Sequence, residues 1–198
     1  MANHHILDSR GVDVSAQDHW LALSTDALPD GIALSEITLL ELLQRQEKPE
    51  VVVPLADLLN SENALAGGLI KEVYNLIVQH SSHVGVWITA DTDTAVLTAL
   101  SELLLEQSLI VIDVPKFADG RGFSFAKTLR QLGYSKEIRV AGEFGRDQIA
   151  YLLRVGVDSF VINEHDLHSD FDISQAFTAL ASSYNGQDAS KLPMFAAS

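Results

Sequence analysis

The chain has 198 residues, no cysteine, 47% apolar residues, and 27 acidic against 13 basic side chains, a formal charge of −14. That length can bury a sizeable core without covalent staples and fits one domain. The missing thiols exclude disulfides, thiolate-held iron–sulfur or zinc centres and thiol redox chemistry, and the charge argues against nucleic acid or an anionic membrane as a partner.

The first ten residues lack the basic stretch and apolar run of a secretory signal, and no segment approaches the roughly 20 apolar residues that span a bilayer, so a cytoplasmic location is expected. His4 and His5 read as mobile terminal histidines. Residues 1–48 are irregular, with a strand expected around His19–Leu23 and a helix around Ser35–Gln46, and are read as an N-terminal arm or cover. From Pro49 the pattern changes. Short β-branched runs at Val51–Leu55, Val84–Thr89, Leu109–Val114, Ile138–Ala141 and Ser159–Ile162 alternate with amphipathic stretches at Glu62–Gln79, Thr94–Glu106, Gly122–Gln131 and Arg146–Arg154. Nearly unbroken apolar strands separated by helix-length segments are the pattern of β-α units in a parallel sheet. A last helix is expected at Ile173–Tyr184 after Asp172, and Gly133 and Gly156 sit where helices end in a left-handed residue. The expected fold is therefore a single α/β domain over residues 49–184 with about five parallel strands. It is either a doubly wound sheet or an incomplete TIM-like barrel. The tail, residues 185–198, either hangs loose or docks on a neighbouring subunit, as it would in a homodimer.

The basic charge is concentrated. Between Lys116 and Arg154 lie eight basic and four acidic residues, a net of +4, while the rest of the chain carries −18. Part of this has a bland cause, since Lys127 and Arg130 belong to the outer face of a helix and Lys136 and Arg139 flank a strand. Position supplies the other part. Loops leaving the carboxyl ends of parallel strands converge on one edge, where ligands bind. The loop Asp113–Gly122 leaves the third strand and Gly142–Gln148 leaves the fourth, and both open helices. Gly120 and Gly122 let backbone approach a ligand, helix N–H groups favour negative charge, and Arg121 and Arg146 supply forked donors, so a small anion is the expected ligand. Asp119, Glu143, Asp147 and Gln148 stand in the same loops. Asp113, at a strand end near Lys116, is the candidate acid, base or ligand, with a structural salt bridge as the alternative. Neither familiar phosphate loop is present: Phe125 ends a Gly120-Arg121-Gly122 run that lacks the third glycine, and no Gly-Lys-Ser or Gly-Lys-Thr occurs.

These residues resemble a known family. Val84–Trp87, the block Asp113-Val114-Pro115-Lys116-Phe117-Ala118-Asp119-Gly120-Arg121-Gly122-Phe123-Ser124, Gly133-Tyr134, Glu137–Gly142, Arg146-Asp147-Gln148 and Gly156–Phe160 are similar to the bacterial domain-of-unknown-function family nine-three-four over roughly residues 51–184. The resemblance implies a place in assimilatory sulfite reduction, because members are commonly encoded beside sulfite reductase and are described as oxidoreductases of that step. It implies no particular cofactor. Sulfite reductase or its electron donor becomes an expected partner, and a non-catalytic accessory role is the alternative to an enzyme. The sequence departs from the family at Val155, often a cysteine in members, and at Ala118 and Phe123, usually threonine and tyrosine, which removes a thiol and two hydroxyls from consideration.

Other constellations have simpler readings. His80 with His83, and His165 with His168, have a spacing that can hold a metal on a helix but fall at element ends. Asp91 and Asp93 precede the helix at Thr94 and read as caps, and Trp87 reads as core.

Overall fold

The computed structural model describes residues 4–23, 34–59, 71–114, 120–163 and 176–177. Five strands follow the expected order: β4 (Glu50–Pro54), β5 (His83–Ile88), β6 (Leu109–Val114), β7 (Glu137–Gly142) and β8 (Ser159–Asn163). Three more, β1 (His4–Asp8), β2 (Leu21–Leu23) and β3 (Ser35–Ile37), come from residues 1–48 and join the same sheet. The sheet order is β1-β8-β7-β6-β5-β4-β2-β3, parallel throughout except for β1, which runs antiparallel to β8. Seven parallel strands thus replace the five expected: β2 falls within the strand expected at His19–Leu23 and joins the sheet instead of an arm, and β3 is too short to show a period in the sequence.

The order also decides between the two architectures. From β4 to β8 every strand lies beside its chain predecessor, so the sheet has no reversal of winding and curls as a half-barrel. Right-handed crossovers that always step the same way put all their helices on one face. Residue alternation agrees. Val51, Val53, Val86, Ile88, Ile110, Ile112, Ile138, Val140, Phe160 and Ile162 share one cluster with helix residues such as Ile77, Leu97, Leu104, Phe125, Leu129 and Leu152. Val52, Trp87, Leu109, Val111, Ala141 and Val161 point the other way, into a second cluster on the concave side with Ile6 and Ala22. Both faces are buried, which is why these strands carry apolar residues at nearly every position.

The helices are α1 (Leu39–Gln44), α2 (Lys71–His80), α3 (Thr94–Ala99), α4 (Ser101–Glu106), α5 (Arg121–Gln131) and α6 (Arg146–Arg154). Two differ from expectation. The helix expected at Ser35–Gln46 begins only at Leu39, because Ser35–Ile37 pairs with β2 and the cap is Thr38, whose hydroxyl and amide form a reciprocal box with Glu41. The segment Thr94–Glu106 is two helices broken at Leu100, whose ψ of 17° leaves the helical range. Residues 62–70 of the expected Glu62–Gln79 helix, and most of Ile173–Tyr184, lie outside the described residues. Ala176 and Phe177 are buried, with Phe177 edge-on to Phe160. Gly133 and Gly156 are left-handed after α5 and α6. No helix among the described residues is long and apolar enough to cross a membrane.

Candidate functional site at the carboxyl edge of the sheet

β6 and β7 are parallel neighbours in a register that sets Asp113 beside Ala141 and Val114 beside Gly142. Both strands therefore end together, and α5 and α6 both start at that edge. The expected gathering of the two loops follows from topology alone. Asp113, the last residue but one of β6, is 6% exposed. The carboxylate belongs to the concave face by alternation with Leu109 and Val111.

Two glycines shape this edge. Gly142 has φ +100, and a Cβ there would stand 2.3 Å from the Val114 carbonyl oxygen and 3.0 Å from Asp113 Oδ1. The chain leaving β7 thus lies directly over the end of β6, and the Glu143 amide donates to the Val114 carbonyl at 2.7 Å. At Gly122 a Cβ would come within 2.9 Å of Val114 Cγ2, so the first turn of α5 is seated on the same strand end. Both approaches need glycine.

The other expected residues are placed as follows. Gly120 and Arg121 are exposed at the start of α5, and nothing lies within 4 Å of a Cβ at Gly120. Arg146 is the first residue of α6, and its side chain lies outside the described residues. Glu143 and Asp147 are exposed, while Gln148 is half-buried and its Oε1 accepts from the Gly145 amide at 3.1 Å, closing the first turn of α6. Lys116 and Asp119 lie outside the described residues. After β5, at the same edge, Thr89 donates its hydroxyl proton to Asp91, and Asp93 caps α3 by accepting from the Ala95 amide at 2.8 Å.

Sequence reasoning missed two features. The antiparallel pairing of β1 with β8 sets His4 beside Asn163, which brings a histidine read as a loose terminus to this edge. No local signal announces that pairing. The second is Arg139, read as flanking a strand but found inside β7 and 4% exposed. Its Nη2 donates to Asp18 Oδ1 at 2.7 Å and Glu137 Oε1 at 3.0 Å, and Ser159 donates to the same Glu137 oxygen at 2.6 Å. Burial pulls the guanidinium pKa down, but Glu137 and Asp18 outweigh it and hold the net shift upward. Arg130 is likewise no outer-face charge: it donates to the carbonyls of Gly156, Tyr134 and Lys136 and pairs with Asp158. Much of the basic charge between 116 and 154 is therefore structural.

The histidine pair of α2 and β5 turns to separate partners, His80 Nδ1 to the Leu76 carbonyl at 2.9 Å and His83 Nδ1 to Glu50 at 3.1 Å. His165 and His168 lie outside the described residues. Among the described residues no three His, Asp or Glu side chains are grouped to hold a metal ion.

A search of curated proteins found no match. A family model described as a bacterial protein of unknown function (DUF934) matches residues 85–195, a span that opens within β5 and takes in both glycine-shaped loops. Since that match covers more than half of the chain, the protein belongs to this family.

Proposed function

We propose that the protein serves assimilatory sulfite reduction by holding a small oxyanion at the carboxyl edge of β6 and β7. The observation that supports this reading is the side-by-side start of α5 and α6 at one sheet edge, over the buried Asp113. Helix starts of this length present unpaired N–H groups and a partial positive charge to an anion, and in a parallel sheet the carboxyl edge is where they converge. Arg121 and Arg146 act as forked donors, Gly120 leaves the backbone open to the ligand, and Gly122 seats the start of α5 on the end of β6. Asp119, Glu143, Asp147 and Gln148 bound the site, and Asp113 with Lys116 handles the proton that sulfite chemistry requires.

Titration calorimetry with sulfite, sulfate and phosphate tests the reading. Saturable binding at millimolar anion or below is expected, weakened about tenfold or more in Arg121→Ala with the melting temperature unchanged. No binding by the parent, together with a large stability loss in Arg121→Ala, would leave only a salt-bridge network.

One observation favours a second reading. A chain without a single cysteine must borrow any electron carrier, which suits an accessory protein that binds sulfite reductase or its electron donor. An absorption spectrum of protein purified from its own host separates the two, since a flavin or haem band belongs to the enzyme. Growth of a deletion strain tests both: rescue by sulfide but not sulfite is expected, and normal growth on sulfate removes the pathway.

A further inference from the structure

The helical face of the sheet divides its charge between neighbouring helices. α4, α5 and α6 lie side by side on that face, because they join β5 to β6, β6 to β7 and β7 to β8 in turn. α4 holds two acids and no base, and its exposed stripe is Glu102, Leu105 and Glu106. α5, next to it, holds three bases and no acid. Arg130 turns inward to carbonyls and Asp158, but Lys127 is exposed. On α6 the exposed Arg154 guanidinium lies 5.2 Å from the centre of the Tyr151 ring. The ammonium of Lys136, just past α5, reaches the Glu106 carbonyl at 2.6 Å, which marks the ends of α4 and α5 as neighbours.

These surface groups are not spent within the chain. Among the described residues the side chains of Glu102, Glu106, Lys127 and Arg154 form no ion pair. Leu105 and Tyr151, 38% and 57% exposed, are large apolar side chains left in water.

An acidic strip beside a basic strip is complementary to itself. Rotation by 180° about a line along the groove between α4 and α5 lays α4 of one copy on α5 of its partner and, by the same operation, α5 on α4. Every attraction is then made twice and the contact closes. Two convex faces touch first along such a line, which leaves α6 at the rim, within the reach of a long arginine side chain. Each copy carries −14, yet screening within about 8 Å at physiological salt limits the repulsion to charges near the contact. A nucleic acid or a membrane surface lying on α5 would run onto the acids of α4, whereas a second copy meets each strip with its opposite. We propose that the chain forms a twofold dimer through α4 and α5, in which Glu102 and Glu106 of one copy face Lys127 and Arg154 of its partner around a centre of Leu105. This interface does not depend on the oxyanion reading.

Sedimentation equilibrium of the full chain at about 100 µM tests it, and a dimer is expected. Glu102→Lys with Glu106→Lys, and separately Lys127→Glu with Arg154→Glu, set like charges against each other and should each weaken association about tenfold or more. Leu105→Asp should do the same from the centre of the contact. An equal mixture of the two doubly reversed chains should form a dimer again, because the now basic α4 of one meets the still acidic α4's reversed counterpart, the acidic α5, of the other; misfolded chains could not do this. A dimer that survives all three variants, or a mixture that stays monomeric, would overturn the proposal. So would a monomeric parent, and if that monomer binds a glutamate-rich peptide the face belongs to a foreign acidic protein instead.

Discussion

Gly142 and Gly120 stand on the same edge yet are under opposite constraints. A Cβ at Gly142 meets the Val114 carbonyl in a left-handed backbone, so Gly142→Ala is expected to cost about 2–4 kcal/mol in urea unfolding. Gly120 has φ −74 and open space around it, so Gly120→Ala should change stability by less than about 0.5 kcal/mol, and any loss of anion binding there reports on the ligand. A large destabilisation by Gly120→Ala would show that its backbone is structurally required after all. Arg139→Met leaves the carboxylates of Asp18 and Glu137 without their cation and is expected to cost about 3–5 kcal/mol by the same measurement. Asp113 and the glycines were legible in the sequence because strand ends and helix starts carry local signals. Arg139 was not, since one of its two carboxylate partners, Asp18, lies 121 residues away, and an arginine between isoleucine and valine carries no mark of what faces it.

At the scale of elements, apolar runs located β4 to β8 to within a residue and β2 within the strand expected at 19–23, whereas the three-residue β3 and the break at Leu100 left no period to read. Thr38 and Glu41 did carry the start of α1 in their spacing, but the serine at position 35 offered a competing start that the pairing of β3 overrides. The turn after β1 makes a pH prediction. Asp8 accepts from the amides of Arg10 and Val12 and from the Arg10 guanidinium, and Asp13 accepts from the Ser15 hydroxyl and amide and pairs with His5. For Asp8 burial pushes the pKa up, but the Val12 amide and Arg10 prevail and lower it. For Asp13 the Ser15 hydroxyl leads in lowering it. Carboxylates held below the ordinary 3.8 contribute their full stabilisation above that pH and lose it as pH falls through their lowered values. Exchange protection of the Val12 and Ser15 amides should therefore be level down to about pH 4 and collapse below it, with Asp8→Asn removing the pH dependence at Val12. Protection that declines already between neutral pH and 5 would show that these two carboxylates do not govern the turn.

At the scale of the molecule, residues 1–18 supply both the edge strand β1 and the Asp18 carboxylate that answers Arg139. Deleting them is expected to lower the melting temperature by roughly 10 °C or more, or to abolish cooperative unfolding. A truncated chain melting with the parent would assign this segment no part in stability. The architecture was half legible: β-α alternation is written in the sequence, while winding direction is fixed by which strands pair and shows only in three dimensions. That pairing has a consequence for biosynthesis. From β4 onward each unit can dock on the one made just before it, so the sheet can grow in step with the ribosome. β1 is the exception. Among the described strands it is made first and its partner β8 last, so β1 waits unpaired while the others form and then closes the longest loop between paired strands of the described sheet. That final closure brings Asp18 to Arg139, so the last step of folding adds a second carboxylate to the Glu137 that the buried cation already has within β7.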